Sequence, residues 1–164
     1  MRKDLCDMTD EELIREYSEI PKELKRRKII RTKNVIGELG ETQIIATYNK
    51  DKTLPNLTLA PVSAENIDAI DEQGNRYAIK SITRNVTGVF HGLVPKENTN
   101  LSERLFDYAV ICKFDKFMAP LLIIQIDWDT FLKHKKWHSR MQAWNLTLTK
   151  SLIQDSKIIL DKRN

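Results

Sequence analysis

The stretch Asn66-Ile67-Asp68-Ala69-Ile70-Asp71-Glu72-Gln73-Gly74-Asn75-Arg76-Tyr77-Ala78-Ile79-Lys80-Ser81-Ile82 reads as a β-hairpin. Residues 66–71 and 76–82 are short runs suited to strands, and Glu72-Gln73-Gly74-Asn75 supplies the turn. Alternation puts Asn66, Asp68 and Ile70 on one face of the first strand. It puts Arg76, Ala78, Lys80 and Ile82 on one face of the second. Folding about the turn therefore brings Asp68 towards Ala78 and Lys80. Lysine is rarely buried without a partner. A carboxylate beside it is kept ionised and able to hold a metal.

Working outward, Thr9-Asp10-Glu11-Glu12 is a capping box, so a helix starts at residue 10. Leu13, Tyr17, Ile20 and Leu24 continue it at helical spacing, and Pro21 is expected to kink or split it. A second helix is expected from about Ile36 to Tyr48, where Gly37 and Gly40 make sense if another backbone packs close by. Residues 50–56 read as a loop and Leu57 to Ala60 as a short strand. Beyond the hairpin, residues 83–100 look irregular, and Ser102 to Leu105 could form a helical turn. Tyr108 to Phe114 and Leu121 to Asp127 are apolar runs suited to strands covered on both faces. A helix is expected over Trp128 to Lys135, a strand or an extended segment over Trp137 to Thr149 and a short helix over Thr149 to Asp155. The pattern predicts an α/β fold, a central mixed sheet flanked by helices. It is read as one domain over residues 1–164, with a helical lead-in over 9–33.

The chain has 164 residues and a formal charge of +4. Residues 1–21 carry −4, residues 22–33 carry +6, residues 131–164 carry +6, and the remainder −4. Basic ends around an acidic centre suit phosphate binding about a metal site. The longest apolar run, Ala119 to Ile126, is far too short to cross a membrane. The start, MRKDLCDMTDEE, lacks the apolar stretch of a signal peptide. Cys6 and Cys112 lack metal-ligand spacing and read as reduced thiols of a cytoplasmic protein.

Asp68, nine residues, then Ala78-Ile79-Lys80 resembles the signature of the PD-(D/E)XK superfamily, the restriction-endonuclease-like nucleases. Gly37-Glu38-Leu39-Gly40-Glu41 is similar to the helix that precedes the hairpin in small bacterial members. The segment Leu59 to Asp68, the lead-in ELKRRKIIRTKN and the later WNLTLTKSLI resemble an uncharacterised bacterial family with this core. The likeness spans about residues 20–155 and implies Mg²⁺-dependent hydrolysis of DNA phosphodiesters, with Mn²⁺ as a substitute. It makes Lys80 the catalytic lysine, Asp68 a metal ligand, Glu41 the helix carboxylate facing the site, and the Ile79 carbonyl a further oxygen ligand. It also implies a restriction or defence enzyme, in which cutting both strands suits a homodimer. Ala78 departs from the pattern, which expects an acid there, because alanine cannot bind a metal. The alternatives are an inactive nuclease-fold module that binds nucleic acid or a protein, and an unrelated α/β domain.

The remaining candidates carry weaker signals. Glu38 could join Glu41 on one helix face, but reads more simply as a solvated acid. Asp71 and Glu72 read as turn chemistry. His91 sits in a glycine-flanked loop and reads as structural. His134 and His138 have helical metal spacing without a third ligand. Trp128, Trp137 and Trp144 read as core or interface anchors. Neither a phosphate-cradling glycine loop nor a nucleophilic serine motif is present.

Overall fold

A computed structural model describes residues 3–61, 64–93 and 103–163. The chain divides into two compact units, Met1–Leu39 and Gly40–Asn164.

In the first unit, helix α1 (Asp10–Arg26) begins at the expected capping box. The Glu12 N–H donates to Thr9 Oγ1 at 3.3 Å, and the Thr9 N–H donates to Glu12 Oε2 at 2.7 Å. Pro21 lies inside this helix without splitting it, one of the two outcomes expected of it. Proline leaves the carbonyl four residues earlier without its donor. None of the residues of α1 is buried, so water can take that donor's place. Ion pairs three and four residues apart, Lys22–Glu19 and Arg27–Glu23 (both 2.6 Å), brace its second half. Helix α2 (Val35–Lys50) starts in this unit. Glu38 is buried rather than solvated. Its carboxylate accepts from the N–H groups of Arg31 and Thr32, tying the preceding turn to the helix.

The second unit is built on a six-stranded mixed sheet flanked by helices, so the α/β class holds. The strands are β1 (Leu57–Leu59), β2 (Ala69–Asp71), β3 (Arg76–Ile82), β4 (Tyr108–Phe114), β5 (Pro120–Asp127) and β8 (Lys157–Asp161), paired in that order. Only β3 and β4 run parallel; the other neighbours are antiparallel. Strands β6 (Lys136–His138) and β7 (Ala143–Asn145) form a separate hairpin, beginning one residue before the segment expected to be a strand or extended. Helices α3 (Trp128–His134) and α4 (Lys150–Gln154) start at side-chain caps from Asp127 and Thr149. The expected helical turn at Ser102 to Leu105 falls partly outside the described residues, and residues 103–106 are not helical.

Alternation along β3 separates two buried faces. Ala78 and Ile82 join Ala109, Ile111, Leu122, Ile124 and the rings of Phe106, Trp128 and Phe131 in the main core. Tyr77 and Ser81 face the other way, towards α2. There Tyr48 packs edge-on against Tyr77 at 6.1 Å and its hydroxyl donates to Gln125 at 2.5 Å.

Gly40 explains the close approach of this helix. A Cβ built on it would lie 1.6 Å from Ser81 Oγ and 2.7 Å from Ser81 Cβ. Gly40→Ala is therefore expected to push α2 off the sheet and cost about 1–3 kcal/mol in urea unfolding, the range for overpacking. An unchanged midpoint would mean that the helix does not sit this close. Among the described residues, no helix is long and apolar enough to cross a membrane.

Candidate functional site around Asp68 and Lys80

The turn of the central hairpin is held by Asp71. Its Oδ1 accepts from the N–H groups of Gln73 and Asn75, both at 2.9 Å. Its Oδ2 accepts from Asn75 Nδ2 at 2.8 Å and the Tyr77 hydroxyl at 3.0 Å. Burial pushes this carboxyl up, but these bonds outweigh it and hold it below the usual value. Asp71 thus does the turn chemistry expected of it.

Strand β2 is shorter than expected and starts at Ala69, leaving Asp68 just outside. Asn66, in the left-handed region at φ 62°, turns the chain away before it. Asp68 still donates its N–H to the Tyr77 carbonyl at 2.8 Å, and its own carbonyl accepts from Ala60 at 2.9 Å. Its side chain then replaces the missing strand: the Ile79 N–H donates to Asp68 Oδ2 at 2.6 Å. Within one strand residue the N–H and C=O point to the same edge. The Ile79 carbonyl is therefore aimed to the Asp68 side of β3.

Lys80 lies on the main-core face and is half-buried. Its Nζ sits 4.9 Å from the centre of the Phe90 ring, a cation–π contact. Burial lowers its pKa, while the charges of Asp68 and Glu41 oppose that shift. Burial raises Asp68 above its usual value, and the Ile79 N–H and the Lys80 charge pull it part of the way back. Asp68, Lys80 and Glu41 thus share one electrostatic neighbourhood. Glu41 belongs to α2, whose Gly40 approaches Ser81 on the face of β3 away from the main core.

Linkage fixes the sign of the pH response. A raised carboxyl contributes stability below its ordinary pKa of 3.8, and that contribution is lost as pH rises through the raised value. A lowered lysine costs stability while charged, and the cost is relieved as pH rises through its folded value. In the metal-free protein, carboxyl NMR is expected to place the Asp68 midpoint above 3.8. Lys80→Met is expected to move it higher, because the attraction is gone. A midpoint that falls in the variant would show that the two charges do not meet.

The donor set is small. The charges of Asp68 and Glu41 both act on Lys80, the Ile79 carbonyl is aimed to the Asp68 side, and Ala78 is buried and offers no side-chain oxygen. Among the described residues there is no group of three or more His, Cys, Asp or Glu placed to hold a metal. Magnesium is commonly held by one or two carboxylates, with water and substrate phosphate completing its shell. The residues present fit that minimal arrangement.

The other candidates lie elsewhere. His134 Nε2 pairs with Asp155 Oδ2 at 2.7 Å, and the helix ends there, so His138 on β6 does not continue its face. The His138 ring accepts from the Met141 N–H at 3.2 Å. His91 is exposed. Trp128 is in the core, while Trp137 and Trp144 pack edge-on at 5.1 Å, with Lys135 Nζ 3.4 Å from the centre of the Trp144 ring. Phe90 was missed as a site residue. Its only sequence signal is an aromatic side chain between two glycines in a polar loop. No family model matches this chain, and no curated protein matches it.

Proposed function

We propose that the protein is a Mg²⁺-dependent DNA endonuclease of the PD-(D/E)XK type, working in the cytoplasm on phosphodiesters as a restriction or defence enzyme. The observation that carries this reading is the Asp68–Ile79 hydrogen bond at 2.6 Å with Lys80 in the same electrostatic neighbourhood. When bound, Mg²⁺ supplies Lewis-acid polarisation of the phosphate and a more acidic water. Asp68 and the Ile79 carbonyl would hold the ion, and Glu41 would add charge from the helix. Lys80 offers donors to charge developing on the phosphate oxygens. Its lowered pKa also makes it a readier proton donor than an exposed lysine. Basic segments at residues 22–33 and 131–164, each +6, would bind DNA backbone. Free Cys6 and Cys112 suit a reducing compartment.

A second reading, an inactive nuclease-fold module that binds nucleic acid or a protein, is favoured by Ala78 and by the small donor set. Supercoiled plasmid separates the two. Nicking with Mg²⁺ or Mn²⁺ that stops on chelation supports the enzyme. Salt-sensitive DNA binding with intact plasmid supports the module.

A further inference from the structure

The loop that follows β3 touches both arms of the site. It is fastened to the segment that runs from β7 towards α4. The Leu148 N–H donates to the Asn85 carbonyl at 2.6 Å, and the Thr87 N–H to the Leu146 carbonyl at 2.9 Å. The Leu146 N–H donates in turn to Thr87 Oγ1 at 3.0 Å. Phe90 then pairs antiparallel with Trp144, its N–H donating to the Trp144 carbonyl at 2.7 Å. Two residues on, a Cβ built on Gly92 would lie 2.8 Å from Asn66 Nδ2. The loop therefore also rests against the residue that turns the chain towards Asp68.

The Phe90 ring is held as firmly as its backbone. It is 4% exposed, and its centroid lies 5.6 Å from that of Phe106 and 4.8 Å from that of Phe131. A ring packed against two others is a fixed surface, and the lysine is the mobile partner. Lys80 Nζ lies over that ring, 4.9 Å from its centre. Asp68 and Glu41 attract the ammonium through charge, which sets no direction of approach. An aromatic ring does set one, because its negative potential is concentrated on its face. Lysine has a flexible stem, which must be restrained before its ammonium can act at one point.

We infer that Phe90 is a positioning residue of the site, an aromatic seat that aims the Lys80 ammonium at the phosphate. The inference rests on the nuclease reading. Phe90 acts through Lys80 and touches no reacting atom.

Full-length protein carrying difluoro- or trifluorophenylalanine at position 90 provides the test, because fluorine drains the ring face of negative potential and changes its size little. Mg²⁺-dependent plasmid nicking is read as kcat and KM, beside Phe90→Leu and, as a control for lost core packing, Ile126→Val. The kcat is expected to fall stepwise with fluorination and about tenfold in Phe90→Leu. KM is expected to stay within about twofold, and Ile126→Val to keep the wild-type kcat. The ring should also shift the NMR signals of the Lys80 ε-methylene protons upfield, and Phe90→Leu should return them towards those of other lysines. A kcat indifferent to fluorination, or Lys80 protons without the upfield shift, overturns the inference and leaves the nuclease reading standing. Nicking that is absent, or equal in wild type and Lys80→Ala, overturns the nuclease reading and the inference with it.

Discussion

Replacing Lys80 with alanine is expected to lower Mg²⁺-dependent plasmid cleavage by about 10²–10³-fold, the usual loss when one donor to a developing charge is removed. Asp68→Ala should cost at least as much, because it removes both the oxygen proposed to hold the metal and the partner of the Ile79 N–H. Glu41→Gln should cost less, about tenfold, since the proposal gives its carboxylate the role of added charge from the helix. The measurement is the initial nicking rate at saturating Mg²⁺, with far-UV circular dichroism as the folding control. Equal rates for wild type and Lys80→Ala would remove the lysine from the chemistry.

Phe131→Ala is the substitution expected to cost most stability. The side chain is fully buried, with ring centroids of Phe90, Phe106 and Trp128 at 4.8, 5.1 and 5.5 Å. Truncation leaves a cavity at the junction of the short helix α3 with the sheet. The expected loss is about 3–5 kcal/mol in urea unfolding. That is a large part of the roughly 5–15 kcal/mol by which a domain is stable. The change should also reach the site, because Phe90 touches both Phe131 and the Lys80 ammonium. A loss below about 1 kcal/mol would mean that this aromatic cluster does not anchor α3.

Much of this architecture was legible because local signals agreed with tertiary ones. Gly74 at φ 82° supplies the hairpin turn, and the apolar runs of β4 and β5 lie in the middle of the sheet as their composition implied. Gly37 and Gly40 suggested a close backbone; instead Gly40 meets the Ser81 side chain and Gly37 the Asn34 side chain. Strand β8 was missed because five residues after a short helix carry little signal; its pairing with β5 is purely tertiary. The β6–β7 hairpin was missed because its turn uses Gln142 at φ 47° in place of glycine. Pro21 does not split α1 because an exposed helix can leave a carbonyl to water.

The site was legible in part. Spacing alone brought Asp68 and Lys80 together, but it could not show that Asp68 would lie outside β2 and cap Ile79. Nor could it show that α2 would pack on the Ser81 side of β3, since which face a helix covers is fixed by packing partners. Glu38 was misassigned for a similar reason: its acceptors are filled by backbone N–H groups of a turn that has no sequence signature.

Mn²⁺ broadening of backbone amide NMR signals, recorded with a phosphorothioate DNA duplex present, tests the proposed metal centre most directly. The proposal requires broadening centred on residues 68, 79 and 80, and its loss in Asp68→Asn. Broadening confined to other acidic loops, such as that of Asp115, would contradict it.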